Sequence, residues 1–77
     1  MRLSSQLLRL SEKVGTPSNG HIDIELSRRN LAQMIDTTIL TVSRLLSLWA
    51  EQGIIEPRRE AISVLNLTAL EKLSQTQ

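Results

Sequence analysis

The 77-residue sequence predicts a mainly α fold with a small β component, three core helices plus a β-hairpin. Three observations predict it. Apolar residues recur at helical spacing along most of the chain. Only a few residues separate the second and third helical stretches. A run of two short apolar segments around Pro57-Arg-Arg-Glu60 then reads as a hairpin.

Within Arg2–Val14, Leu3, Leu7, Leu10 and Val14 fall on one side of a helix, with Leu8 beside Leu7 and polar residues between them. Gly15 stops that helix, and Gly15-Thr-Pro-Ser-Asn-Gly20 reads as a loop. His21-Ile-Asp-Ile-Glu-Leu26 alternates polar and apolar residues, the pattern of a short half-buried strand. Ser27 is a good N-cap for a second helix, Arg28–Ile35, whose inward side carries Leu31, Met34 and Ile35. Asp36-Thr-Thr38 breaks the pattern. A third helix runs from about Thr38 to about Gln52, with Gly53 as its C-terminal stop. The hairpin pairs Ile54-Ile-Glu56 with Ala61-Ile-Ser-Val-Leu65, and Pro57 sets one edge of its turn. Thr68–Ser74 is a short last helix packing Leu70 and Leu73, and Gln75-Thr-Gln77 is expected to fray.

Two helices joined by so short a turn form a helix-turn-helix, and the hairpin that follows is a wing. The helices must cross steeply, which leaves one face of the third helix uncovered. At about 100° per residue, Val42, Leu45, Leu46 and Trp49 share one arc and form the core stripe. Leu40, Ser43, Arg44 and Ser47 point away from it, Leu40 by roughly 170° and Arg44 by roughly 150°. Ile39 lies on the flank.

Composition excludes several function classes. Nine Lys+Arg against eight Asp+Glu give a formal net charge of +1, so a basic surface must come from arrangement and not from bulk charge. No Cys is present, which removes disulfides, thiol chemistry and Cys-based zinc sites, and one His, His21, makes no imidazole cluster. With no glycine-rich phosphate cradle either, an enzyme is not expected. Trp49 is the one aromatic residue, whereas single-strand and RNA binders stack bases on several. No apolar run approaches the roughly 20 residues of a membrane span, and Met1–Val14 lacks a signal-peptide pattern. A soluble, cytoplasmic protein without membrane contact is expected. A core this small supplies about 3–5 kcal/mol, so the chain is expected to be a module of something larger.

The outward face of the third helix suits a DNA major groove. Ser and Thr allow close approach, and Arg44 can pair bidentately with guanine. The plainer alternative for Arg44 is a solvated arginine paired with Glu51. Ser27, Arg28 and Arg29 open the second helix, and Arg58 and Arg59 occupy the hairpin tip. A winged helix brings these places to one surface, although Asp36, Glu56 and Glu60 weaken the field locally.

Leu26-Ser-Arg-Arg-Asn-Leu-Ala-Gln-Met-Ile35, Thr38-Ile-Leu-Thr-Val-Ser-Arg-Leu-Leu46 and Gln52-Gly-Ile-Ile55 resemble the C-terminal DNA-binding domain of the Crp/Fnr family of bacterial transcription regulators. The resemblance implies a winged helix-turn-helix spanning residues 1–77 at the C-terminus of a longer sensor-regulator. It implies an N-terminal domain that senses an effector, homodimerisation through a segment outside these residues, double-stranded DNA as ligand and RNA polymerase as a protein partner. No cofactor is expected within these residues themselves. By resemblance, Arg44 matches the arginine that reads guanine, and Ile39, Leu40 and Ser43 on the same side of the helix are expected to read base edges with it. Ser27, Arg28, Arg29, Thr38 and Thr41 match positions that contact backbone phosphates, and Arg58 and Arg59 match the wing tip; with Ser47 of the outward face, all are expected at phosphates.

Two residues depart from the family pattern. The position of Leu40 usually carries a Glu that accepts from cytosine; Leu40 cannot accept a hydrogen bond but can pack on a thymine methyl, so a half-site that differs from the common family sequences at that base pair is expected. Asp36 stands where the turn commonly has a left-handed Gly, a conformation that Asp tolerates better than most residues. The competing reading is a winged helix that binds a protein through Ile39 and Leu40. Salt dependence separates the two, since DNA binding weakens steeply with salt.

Overall fold

The computed structural model describes residues 3–76. Along them run α1 (Leu3–Lys13), β1 (Thr16–Ser18), β2 (His21–Ile24), α2 (Arg28–Met34), α3 (Ile39–Glu51), β3 (Ile55–Pro57), β4 (Ile62–Val64) and α4 (Leu67–Thr76). The expected helical residue Arg2 and the tail residue Gln77 lie outside the described residues.

The second and third helices follow from their caps. Ser27 has extended backbone and its hydroxyl accepts from the Asn30 amide at 3.1 Å, which opens α2. Thr38 does the same for α3, accepting from the Thr41 amide at 3.2 Å, so it caps the helix and does not lie within it. Both helices end in the same motif. After α2, the amides of Asp36 and Thr37 donate to the carbonyls of Gln33 and Ala32; after α3, those of Gly53 and Ile54 donate to Ala50 and Trp49. This is the Schellman arrangement, which needs a left-handed residue just past the cap. Gly53, the expected C-terminal stop, supplies it at φ 75°, and Asp36 at φ 54°, the conformation that the resemblance implies for it.

The N-terminal part of the sheet differs from expectation. Gly15–Gly20 is not a loop: Thr16–Ser18 is a strand paired antiparallel with β2. Asn19 and Gly20 form its two-residue turn with φ 50° and 81°, and two positive φ values in succession are what a type I′ hairpin turn requires. Pro17 is accommodated because β1 is the edge of a four-stranded sheet in the order β1-β2-β4-β3. The wing hairpin β3–β4 therefore does not stand alone. It continues a sheet through β2, with Ile24 opposite Ile62 and Asp23 opposite Ser63. The Ser63 hydroxyl donates to the Asp23 carboxylate at 2.6 Å, which satisfies a fully buried serine. The last helix is longer than Thr68–Ser74: Asn66 caps it through the Ala69 amide, and the helix runs on through Gln75, where fraying was expected.

The core lies between the helices and one face of this sheet. Leu3 and Leu7 of α1, Leu31 of α2, Val42, Leu46 and Trp49 of α3, Ile24, Ile55, Ile62 and Val64 of the sheet, and Leu70 of α4 are buried together. α1 packs on α4 and α2 on α3. Gly15 lets the end of α1 meet the sheet, because a Cβ there would stand 2.4 Å from both the Ser11 carbonyl oxygen and Ile22. Two expected core residues are surface residues. Met34 is 50% exposed, because Leu31 and Ala32 together define the buried arc of α2 and Met34 lies about 110° from its centre. Val14 is 58% exposed, one residue past the end of α1. Leu45 and Leu73 pack against the core but are only partly buried.

Candidate nucleic-acid interface

The core stripe of α3 fixes what the opposite side presents. With Val42, Leu46 and Trp49 inward, Leu40, Arg44 and Ser47 are exposed, while Ile39 is exposed on the flank and Ser43 is half-buried. Arg44 makes no ion pair among the described residues, so the pairing with Glu51 does not form and its guanidinium is available. The same face continues with Leu48, 47% exposed, and Glu51. Leu48 on this face was not among the outward residues expected from the sequence, and Glu51 was expected only as a partner for Arg44. They limit the face, because a carboxylate and a leucine at its C-terminal end repel or ignore phosphates. The half nearest the N-terminus is the part suited to an anionic partner.

The second helix and the wing meet at one cleft. Glu25, Leu26, Ser27, Asn30, Arg58, Arg59, Glu60 and Ala61 line it. The start of α2 and the wing tip, far apart in sequence, are thus neighbours, and α3 packs against both α2 and β3. Backbone geometry holds the tip, with the Arg58 amide donating to the Ala61 carbonyl at 2.8 Å. The two wing arginines are not equivalent. Arg58 is 3.4 Å from the Glu56 carboxylate, an exposed pair worth about 0–1 kcal/mol. Arg59 makes no ion pair among the described residues.

The hydroxyls expected at phosphates are partly engaged. Ser27 both accepts from the Asn30 amide and donates to its side-chain oxygen. Its proton is therefore committed, and the side-chain amide nitrogen of Asn30 is the free donor of this pair. Asn30 was absent from the sequence-based site; the cap spacing Ser27-x-x-Asn30 was the signal for it. Thr38 and Thr41 share a hydrogen bond at 3.0 Å between their hydroxyls, so between them one proton remains to donate outward. Ser47 is exposed. Arg28 is half-buried, and its Nε is buried without a partner, whereas Arg29 is exposed. Among the described residues no helix is long and apolar enough to cross a membrane.

Two capped helices joined by a short turn, an uncovered outer face on α3 and a sheet-borne hairpin beside it define a winged helix-turn-helix domain. The family model for the Crp-like helix-turn-helix domain matches residues 1–73. The chain belongs to that family, and it is a DNA-binding domain of transcription regulation. Among solved structures it is similar to TTHA1359, a transcriptional regulator of the CRP/FNR family from Thermus thermophilus, with TM-score 0.90 and 25% identity over 96% of this chain and 39% of that one. It is also similar to the CO-dependent transcription factor CooA from Carboxydothermus hydrogenoformans, with TM-score 0.88 and 29% identity over 95% of this chain and 35% of that one. Oxidized CprK in complex with o-chlorophenolacetic acid adds likeness of fold, with TM-score 0.84 and 23% identity over 99% of this chain and 33% of that one. No curated protein sequence matches the chain. The chain spans between 33% and 39% of the length of these solved relatives.

Proposed function

We propose that the chain grips double-stranded DNA with the N-terminal half of α3 in the major groove and the α2–wing cleft on the phosphate backbone. The observation that carries this reading is the conjunction of two surfaces: an uncovered α3 face centred on unpaired Arg44, and a cleft that joins Asn30 to Arg58 and Arg59. Arg44 pairs with guanine, and Ile39, Leu40 and Ser43 meet the neighbouring base edges. Arg29, Arg59, Arg58 and the Asn30 amide hold phosphates; Ser27 orients Asn30. Thr38, Thr41 and Ser47 border the groove, and Arg28 contributes charge more than direct contact. Glu25 and Glu60 in the same cleft limit how far the backbone enters it.

In the full regulator this domain is C-terminal to an effector-binding domain. It works as a cytoplasmic homodimer on two half-sites about 34 Å apart, in contact with RNA polymerase. The test is a titration of the chain with duplex DNA at several salt concentrations. With three or so phosphates neutralised, log K falls with log salt at a slope of about −3. Affinity for duplex DNA that ignores salt removes the proposal and leaves a protein-binding winged helix in its place.

A further inference from the structure

We infer that Leu40 is a specificity residue that recognises the 5-methyl group of thymine, with Ile39 beside it; this rests on the DNA reading above. Leu40 is 60% exposed, more than any other large apolar residue described, and it sits in the first turn of α3. The Thr38 cap fixes that turn through the Thr41 amide, so Leu40 is held on ordered backbone and not on a loose loop. Cβ bonds tilt toward a helix's N-terminus, which sets Leu40 at the leading end of the surface that enters the groove. Its exposed neighbour Ile39 extends the apolar area by one side chain, and Thr41, Ser43 and Arg44 close it off with polar groups.

A patch of two aliphatic side chains bounded this way fits a small target. It falls well short of the several hundred Å² of a typical apolar protein-docking patch. In the major groove the base pairs present donors, acceptors and one apolar feature, the thymine methyl. Leucine matches that feature alone. Against cytosine or adenine it covers an exocyclic amino group without replacing its hydrogen bond to water, so other pairs at this position are disfavoured. Leu48 stands two turns away beside Glu51, on the part of the face that stays out of the groove, and does not share this role.

Selection from random duplex DNA with the chain at low salt defines the preferred half-site. Each thymine in it is then replaced singly by uracil, which deletes the methyl group and keeps the base pairing. One thymine is expected to respond with affinity weakened about fourfold, the scale set by burying one methyl group. In Leu40→Ala that difference between thymine and uracil disappears, while Arg44→Ala retains it. No sensitive thymine, or a sensitive one whose response is unchanged in Leu40→Ala, overturns the inference and leaves the DNA reading intact, provided Arg44→Ala still relaxes selection. Failure to enrich any duplex sequence overturns both.

Discussion

Arg44 and Trp49 share one helix and have opposite surroundings, because a helix turns each successive side chain by about 100°. Trp49 is 2% exposed among Val42, Leu46 and Ile55, and Arg44 faces away from all of them. Trp49→Ala is expected to cost about 3–5 kcal/mol, comparable with the entire stability of a domain this small. A urea or thermal melt would read it as loss of the folding transition, and an unchanged midpoint would show that Trp49 is not part of the core. The inward and outward sides of α3 were legible in the sequence because a helix of thirteen residues has room for its period to show. In the seven residues of α2 it does not, and one small side chain, Ala32, swings the buried arc away from Met34. The pairing of Ser27 with Asn30 was hidden for another reason: capping was foreseen, but a cap that returns a proton to the same residue is settled only by side-chain geometry.

The connections are where local chemistry speaks most clearly. α2 and α3 end in the same hydrogen-bond pattern, with Asp36 in the position that Gly53 fills in the other. A β-branched residue at Asp36 meets the left-handed penalty in full, so Asp36→Val is expected to destabilise by about 1–2 kcal/mol. Asp36→Gly should stay within about 1 kcal/mol of the parent, because it exchanges relief of that penalty for backbone entropy. Chemical denaturation of the two variants checks this, and equal stabilities would contradict it. The β1–β2 hairpin had an equally local signal in Asn19-Gly20, but β1 is three exposed residues with no alternation to announce it, so β2 alone is legible as a strand. Its pairing to the wing through β2 and β4 joins residues about 40 positions apart, which no local pattern encodes.

Taken together, the folded chain turns a net charge of +1 into a directional surface. The wing-tip arginines Arg58 and Arg59 share one cleft with Ser27 and Asn30 at the start of α2, and α3 packs against both α2 and β3. The sequence disclosed the two arginine pairs. Only the fold shows that Glu56 partly neutralises Arg58 while Arg59 stays unpaired, and that Asn30 belongs with them. In this arrangement base reading and backbone holding reside on different elements, so they should fail separately. The measurement is the ratio of affinities for a selected duplex and a scrambled one, taken for the chain, Arg44→Ala and Arg59→Ala at one salt concentration. Arg44→Ala should lose about 1–3 kcal/mol on the selected duplex alone and collapse the ratio. Arg59→Ala should weaken both duplexes alike, more than Arg58→Ala does, and preserve the ratio. A ratio that survives Arg44→Ala would contradict the assignment of sequence reading to the outer face of α3.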